Sequence, residues 1–161
     1  MSTLAEKTAE LASHDVGERE TDGTNDSPKI RQCYLAYLGL TPPSAYCASA
    51  CSWWVHSGAL VLGVTPLFKK SGSAVHLYEI NAALTFTKLT PVDLPCIGIN
   101  RDPDRIHGHA FLIVGMDEAT GRLQTIDPNS NPNGGREGTG VWALNVRNTN
   151  DALRLGYIRI A

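Results

Sequence analysis

The apolar period of this chain changes once, and that change decides its architecture. Up to about residue 82 the apolar side chains recur at three- and four-residue spacings, and from residue 94 onward they alternate. Helices therefore come first and a sheet follows, the α+β pattern. The spacing predicts a short amphipathic helix over 4–12, with Leu4, Thr8, Leu11 and Ala12 on one face. It predicts a second helix over 28–38, opened by Ser27-Pro28 and closed at Gly39, with Ile30, Cys33, Tyr34, Tyr37 and Leu38 as its buried stripe. A third helix is expected from Ser44 to a stop at Gly58, with Cys47, Cys51, Trp54 and Val55 on one face. A short helix follows Ser71-Gly72-Ser73, carrying Val75, Leu77, Tyr78 and Ala82, and 84–90 reads as extended. Five strands are then expected at 94–100, 109–116, 122–127, 140–147 and 155–160, with sequence neighbours paired antiparallel and Asp117–Gly121 closing a hairpin.

At 161 residues the chain has the length of one folding unit, taken as a single domain over 1–161. A domain of this size buries roughly 68–70% of its unfolded surface, enough for a core without disulfide or metal staples. The 14 Lys+Arg against 16 Asp+Glu give a net charge of −2, and no basic block occurs, which argues against nucleic acid as a partner. No apolar run approaches the ~18 residues of a membrane helix, so no membrane insertion is expected. The N-terminal segment is polar and acidic where a secretory signal needs an apolar stretch, so the chain is expected to be made in the cytoplasm. A monomer without cofactor or metal is expected.

Four cysteines, at 33, 47, 51 and 96, form no C-x-x-C pair and read as free thiols. Cys47 differs from the others because it opens a helix, where unpaired backbone N–H groups and the positive dipole end favour a thiolate. A thiolate nucleophile needs a base, and His109 at the start of a strand supplies an imidazole that titrates near ~6.5. The base needs an orienting group. The next strand ends in Thr-Ile-Asp-Pro-Asn and offers Asp127 or Asn129 beside His109, with Asp127 ranked first.

The segments that carry these residues are GERETDGTN (17–25), SAYCASACSWW (44–54), GHAFLIVG (108–115), TIDPNSNPNGG (125–135) and REGTGVWALNVR (136–147). Together they resemble the CHAP family of cysteine amidohydrolases and peptidases and the related NlpC-type cell-wall peptidases, over most of the chain. That family has a G-x-x-E-x-x-G-x-N segment, a Trp-Cys-Ala nucleophile helix, a Gly-His-Val strand and a Glu-Gly-Asn strand end. This chain has Tyr46 in place of the Trp, Asp127 in place of the Glu and Pro128 in place of the Gly.

The resemblance implies a papain-like α+β fold with the nucleophile helix packed on an antiparallel sheet. It implies Cys47 as nucleophile, His109 as base, Asp127 as orienting acid and Asn129 as the accompanying amide. The implied reaction is cleavage of an amide bond in peptidoglycan, with delivery by holin-type lysis machinery, as for endolysins, or by injection, with an immunity protein as partner. The alternatives are a host-protein deamidase or acyltransferase using the same triad, and an inactive wall-binding module. Glu20 matches the family's upstream acid, and a loop-stabilising role is expected for it. The Cys47 backbone N–H is one expected oxyanion donor, and Tyr46 or Ser44 is the candidate for the second.

Other residues that could do chemistry are set aside. A metal site formed by His107 and His109 with Cys47 is not expected, and Cys47-x-x-x-Cys51 with His56 lacks a standard zinc spacing. The run Asp127-x-Asn129-x-Asn131 resembles the start of a calcium loop, but Pro132 stands where such a loop needs Gly and Gly138 where it needs Glu. Trp53 and Trp54 read as core and groove wall rather than sugar-stacking rings. Arg136 and Arg147 read as solvated strand-end charges.

Overall fold

A computed structural model describes residues 2–135 and 138–161; Arg136, one of the two expected strand-end charges, lies outside the described residues. The fold is α+β: helices packed on a six-stranded antiparallel sheet. Helix α1 spans Leu4–His14 and opens with a capping box, in which Thr3 Oγ1 accepts from the Glu6 N–H and the Glu6 carboxylate accepts from the Thr3 N–H. Ser27 Oγ accepts from the Ile30 N–H, as expected of a cap, but the segment behind it is not an ordinary helix. It runs as a π-helical stretch over Ile30–Leu35 and a 3-10 turn over Ala36–Leu38, ending at Gly39 in the left-handed region (φ 70°). The wider turn shifts the phase of the stripe: Ile30, Tyr34 and Leu35 are buried, while Tyr37 and Leu38 are only half-buried.

The central helix α2 spans Cys47–Leu62, so both expected boundaries move. Residues 44–46 are irregular rather than a first helical turn, which makes Cys47 the first residue of the helix. Gly58 does not stop it. A Cβ there would meet Leu4 and Thr8 of α1 at 3.4 Å, so the glycine lets two helices approach. The chain leaves the helix instead at Gly63, which takes the left-handed conformation (φ 67°) of a C-terminal cap. Cys47, Cys51, Trp54 and Val55 are all buried, as their spacing predicts. Helix α3 spans Ala74–Ile80, capped by Ser73.

The strands are β1 (Thr85–Phe86), β2 (Cys96–Arg101), β3 (Gly108–Asp117), β4 (Arg122–Ser130), β5 (Gly140–Asn148) and β6 (Arg154–Arg159). Their order is β1-β6-β2-β3-β4-β5. The run β2 to β5 pairs neighbour to neighbour, as expected. The final strand instead crosses the sheet to pair with β2 and β1, because β2 would otherwise leave its backbone groups as an open edge. The two-residue strand β1 lies within the segment 84–90 that reads as extended, and it adds a sixth strand to the five expected.

The sheet has apolar residues on both faces. Ile97, Ile99, Ala110, Leu112, Ile126 and Ile158 pack with α2, while Phe111, Ile113, Leu123, Cys96 and Tyr157 form a second cluster. Burying a side chain the size of Val55 or Leu112 contributes roughly 1.5–3 kcal/mol. No helix among the described residues is long and apolar enough to cross a membrane.

Candidate active site

Helix α2 lies over β3 and β4, so its first residues meet the start of one strand and the end of the other. Gly108 opens β3 where a Cβ would stand 2.3 Å from the Asn100 carbonyl oxygen. Only glycine admits that approach, and the next residue, His109, is thereby brought against Cys47. Both side chains are buried, Cys47 keeping 5% of its surface and His109 3%. His109 Nε2 donates to Asp127 Oδ1 at 3.1 Å. The other ring nitrogen, Nδ1, is buried with no well-formed hydrogen bond, and it is the atom left to exchange a proton with the thiol.

The electrostatics favour an ion pair. Burial opposes ionisation of Cys47, but His109, through hydrogen bonding and charge, and the N–H groups of Ala110 and Ala48 outweigh it and hold the thiol below its ordinary pKa. Burial likewise disfavours a charged His109, yet Asp127 and Cys47 together raise its pKa. The neighbouring Cys51, one turn along α2, is pushed well up by burial, with the Cys47 and Asp127 charges adding to it. Cys96 is pushed up to about 12, chiefly by burial. One thiol of the three buried ones is poised to ionise.

Asp127, fully buried, is held by more than the imidazole. Arg147 Nε donates to its Oδ1 at 2.7 Å and Arg147 Nη2 donates to the same oxygen, while Thr125 Oγ1 donates to Oδ2. Burial pushes its carboxyl up, but His109 and Arg147 more than offset this and keep it below the ordinary value. Arg147 is therefore not the solvated strand-end charge expected. It is 9% exposed, its guanidinium lies 4.3 Å from the Phe111 ring centre, and the same ring stacks against His109 at 5.8 Å. Alternation along β5 does not flag it, because a register shift separates Leu144 from Arg147 and brings Arg147 opposite the buried Leu123 of β4.

Asn129 takes no part in holding the imidazole. It sits at φ 54°, is 4% exposed, and lines the cleft in which Cys47 lies. That cleft has a volume of about 790 Å³, and its walls include Tyr37, Leu40, Ser44, Lys70, His76 and His107. Ser52 and Ser71 tie its far wall to α2 through two 3.1 Å hydrogen bonds. Besides Cys47 and Tyr37, the charged or titratable side chains among the described lining residues are Lys70, His76 and His107, with no carboxylate. Trp53 packs edge-on against Tyr37 behind the cleft, and Trp54 is core, its Nε1 donating to Asp15. Of the two residues expected to supply a second oxyanion donor, Ser44 lines the cleft, whereas the buried Tyr46 hydroxyl is committed to Glu20.

The geometry provides a thiol of lowered pKa at a helix start, an imidazole of raised pKa beside it, a buried carboxylate behind the ring and an open cleft in front. Such a set can perform nucleophilic attack on a carbonyl followed by proton delivery to the leaving group. No family model matches this chain, and no curated protein or solved structure matches it significantly.

Proposed function

We propose that this protein is a cysteine amidase that hydrolyses an amide bond in the peptide of bacterial peptidoglycan, with a papain-like arrangement of helix and sheet. The observation that carries the reading is the Cys47–His109–Asp127 set opening into the 790 Å³ cleft. The CHAP-like spacing of the segments around these residues supports the wall as substrate. So does Lys70, a cation on a cleft wall whose described lining residues include no carboxylate, which favours an acidic group on the peptide.

In the reaction, the Cys47 thiolate attacks the amide carbon and forms a tetrahedral intermediate. The Cys47 N–H at the start of α2 faces the developing oxyanion, where the helix dipole adds to its attraction. His109 gives its proton to the leaving amine as the carbon–nitrogen bond breaks, which leaves a thioester. Water then attacks the thioester carbon with His109 as base, releasing the carboxylic acid and restoring the thiolate. Asp127 keeps its own charge throughout and stabilises the imidazolium.

The test is digestion of purified sacculi with the protein and with Cys47→Ala, followed by mass spectrometry of the soluble products. New amine and carboxyl ends released by the first and not the second are expected, and the fragment masses identify the bond. Equal binding with no cleavage by either protein would contradict the reading, and a gain of about one mass unit on a protein target, with intact sacculi, would replace it with deamidation.

A further inference from the structure

The segment that runs from Lys70 to His76 forms one wall of the cleft. It is packed against the elements that carry the catalytic pair. A Cβ on Gly72 would stand 3.4 Å from Ser49 Oγ in the first turn of α2, and one on Gly108, the residue before His109, would stand 3.3 Å from Val75 Cγ2. Ser71 is tied to α2 through its backbone: its N–H donates to Ser52 Oγ and its carbonyl accepts from the same hydroxyl.

Two exposed side chains of this wall, Lys70 and His76, are held in place by it. Lys70 Nζ lies 4.1 Å from the centre of the Tyr37 ring and donates to the Tyr37 carbonyl at 3.4 Å, and Trp53 backs that ring edge-on at 5.5 Å. His76 is fixed at both ends. Its backbone N–H donates to Ser73 Oγ at 3.4 Å, and its ring Nδ1 lies 3.2 Å from Ser71 Oγ. Ser71 Oγ already accepts from the Ser73 N–H at 3.1 Å, so its single proton goes to Nδ1. Nδ1 is then the acceptor, and the neutral ring carries its own proton on Nε2.

His107 differs, because its Nδ1 lies 2.5 Å from the Asp104 carboxylate, which answers its charge. Lys70 and His76 form no ion pair among the described residues, and they offer donors only. Such a pair selects a group that only accepts. An ionised carboxylate is that group, whereas a carboxamide brings two N–H donors of its own.

We propose that Lys70 and His76 are specificity-determining residues, which bind a free carboxylate of the peptide through the Lys70 ammonium and the His76 Nε2–H. This rests on the amidase reading and narrows its substrate to peptides that keep an unamidated carboxylate near the bond that is cut.

The test uses Cys47→Ala, which cannot turn over, and two probes: N-acetyl-alanyl-glutamate with its carboxylates free, and the same peptide with both carboxyls amidated. Titration followed by NMR gives the two dissociation constants, and the imidazole nitrogen shifts report the His76 tautomer. The carboxylate form is expected to bind roughly 10- to 100-fold tighter, the range of one or two charge-assisted hydrogen bonds. Lys70→Met and His76→Ala should each lower that preference about 10-fold, while Lys70→Arg keeps the charge, His76→Gln keeps a donor, and both should retain more of it. In turnover of wall peptides with Cys47 present, the loss in Lys70→Met should fall on KM rather than kcat. Equal binding of the two probes, no binding of either, a preference undiminished in Lys70→Met and His76→Ala, or a neutral His76 ring protonated on Nδ1 would overturn the proposal. If the carboxylate preference holds while sacculi remain uncut, the amidase reading alone fails.

Discussion

Replacing Arg147 by methionine removes the cation from a fully buried carboxylate while keeping an unbranched chain to cover Phe111. The side chains of Arg147 and Asp127 are 8% and 0% exposed, so solvent cannot take over the lost contact. Breaking a buried pair from one side costs about 3–5 kcal/mol, against roughly 0–1 kcal/mol for an exposed pair. In a domain of this length each kcal/mol moves Tm by about 2–4 °C, so Arg147→Met is expected to melt roughly 6–20 °C lower. Denaturant and thermal unfolding followed by circular dichroism read this directly.

The pH dependence of that loss carries a sign. Asp127 has a folded pKa below its unfolded value, so its contribution is complete above about 3.9 and is lost as pH falls through the lower folded value. Without Arg147 the carboxyl rises, and protonation then relieves the uncompensated charge. The stability gap between the two proteins should be full at neutral pH and narrow on acidification. Arg147→Met combined with Asp127→Leu should recover much of the stability and none of the activity. A loss below about 1 kcal/mol, or a gap that does not change with pH, would refute the account of this pair.

Asp15 accepts hydrogen bonds from Tyr34 at 2.7 Å and Trp54 at 2.8 Å inside the core, so Asp15→Ala strands two buried donors and should cost roughly 2–6 kcal/mol by denaturant unfolding. Activity against pH should be bell-shaped, rising through the lowered value of Cys47 and falling as the raised value of His109 is passed, both limbs belonging to the coupled pair. His109 also contributes stability that is complete below about 6.5 and lost as pH rises through its folded pKa, so His109→Gln should flatten the alkaline limb of a stability profile.

Period and punctuation carry most of the secondary structure here. Ser27, Gly39 and the alternation after residue 94 locate elements within a few residues. Cys47 and His109 are legible from their places at the starts of α2 and β3, and Asp127 from the paired strand that follows, although β4 runs on to Ser130 and all three side chains are buried. What was not legible depends on contacts between distant segments. Gly58 reads as a helix stop until α1 is packed against it, and the π-helical turn over Ile30–Leu35 leaves no mark in spacing alone. The pairing of β6 with β2 follows from closing a sheet edge, which a local pattern does not encode. Arg147 was misread for the same reason: charge alone suggests solvent, and only the register of β4 and β5 turns it toward Asp127.

The ionisation of a single sulfur underlies the whole account, and it can be read without any substrate. Alkylation by iodoacetamide across a pH series, resolved residue by residue by mass spectrometry, reports the thiolate fraction at Cys47 separately from Cys51 and Cys96. Cys47 should react with a midpoint below the ~8.5 of a free thiol, and His109→Gln should move that midpoint upward, while Cys51 and Cys96 stay unreactive in the native protein. A midpoint at or above ~8.5 in the unaltered protein, or one unmoved by loss of the imidazole, would contradict it.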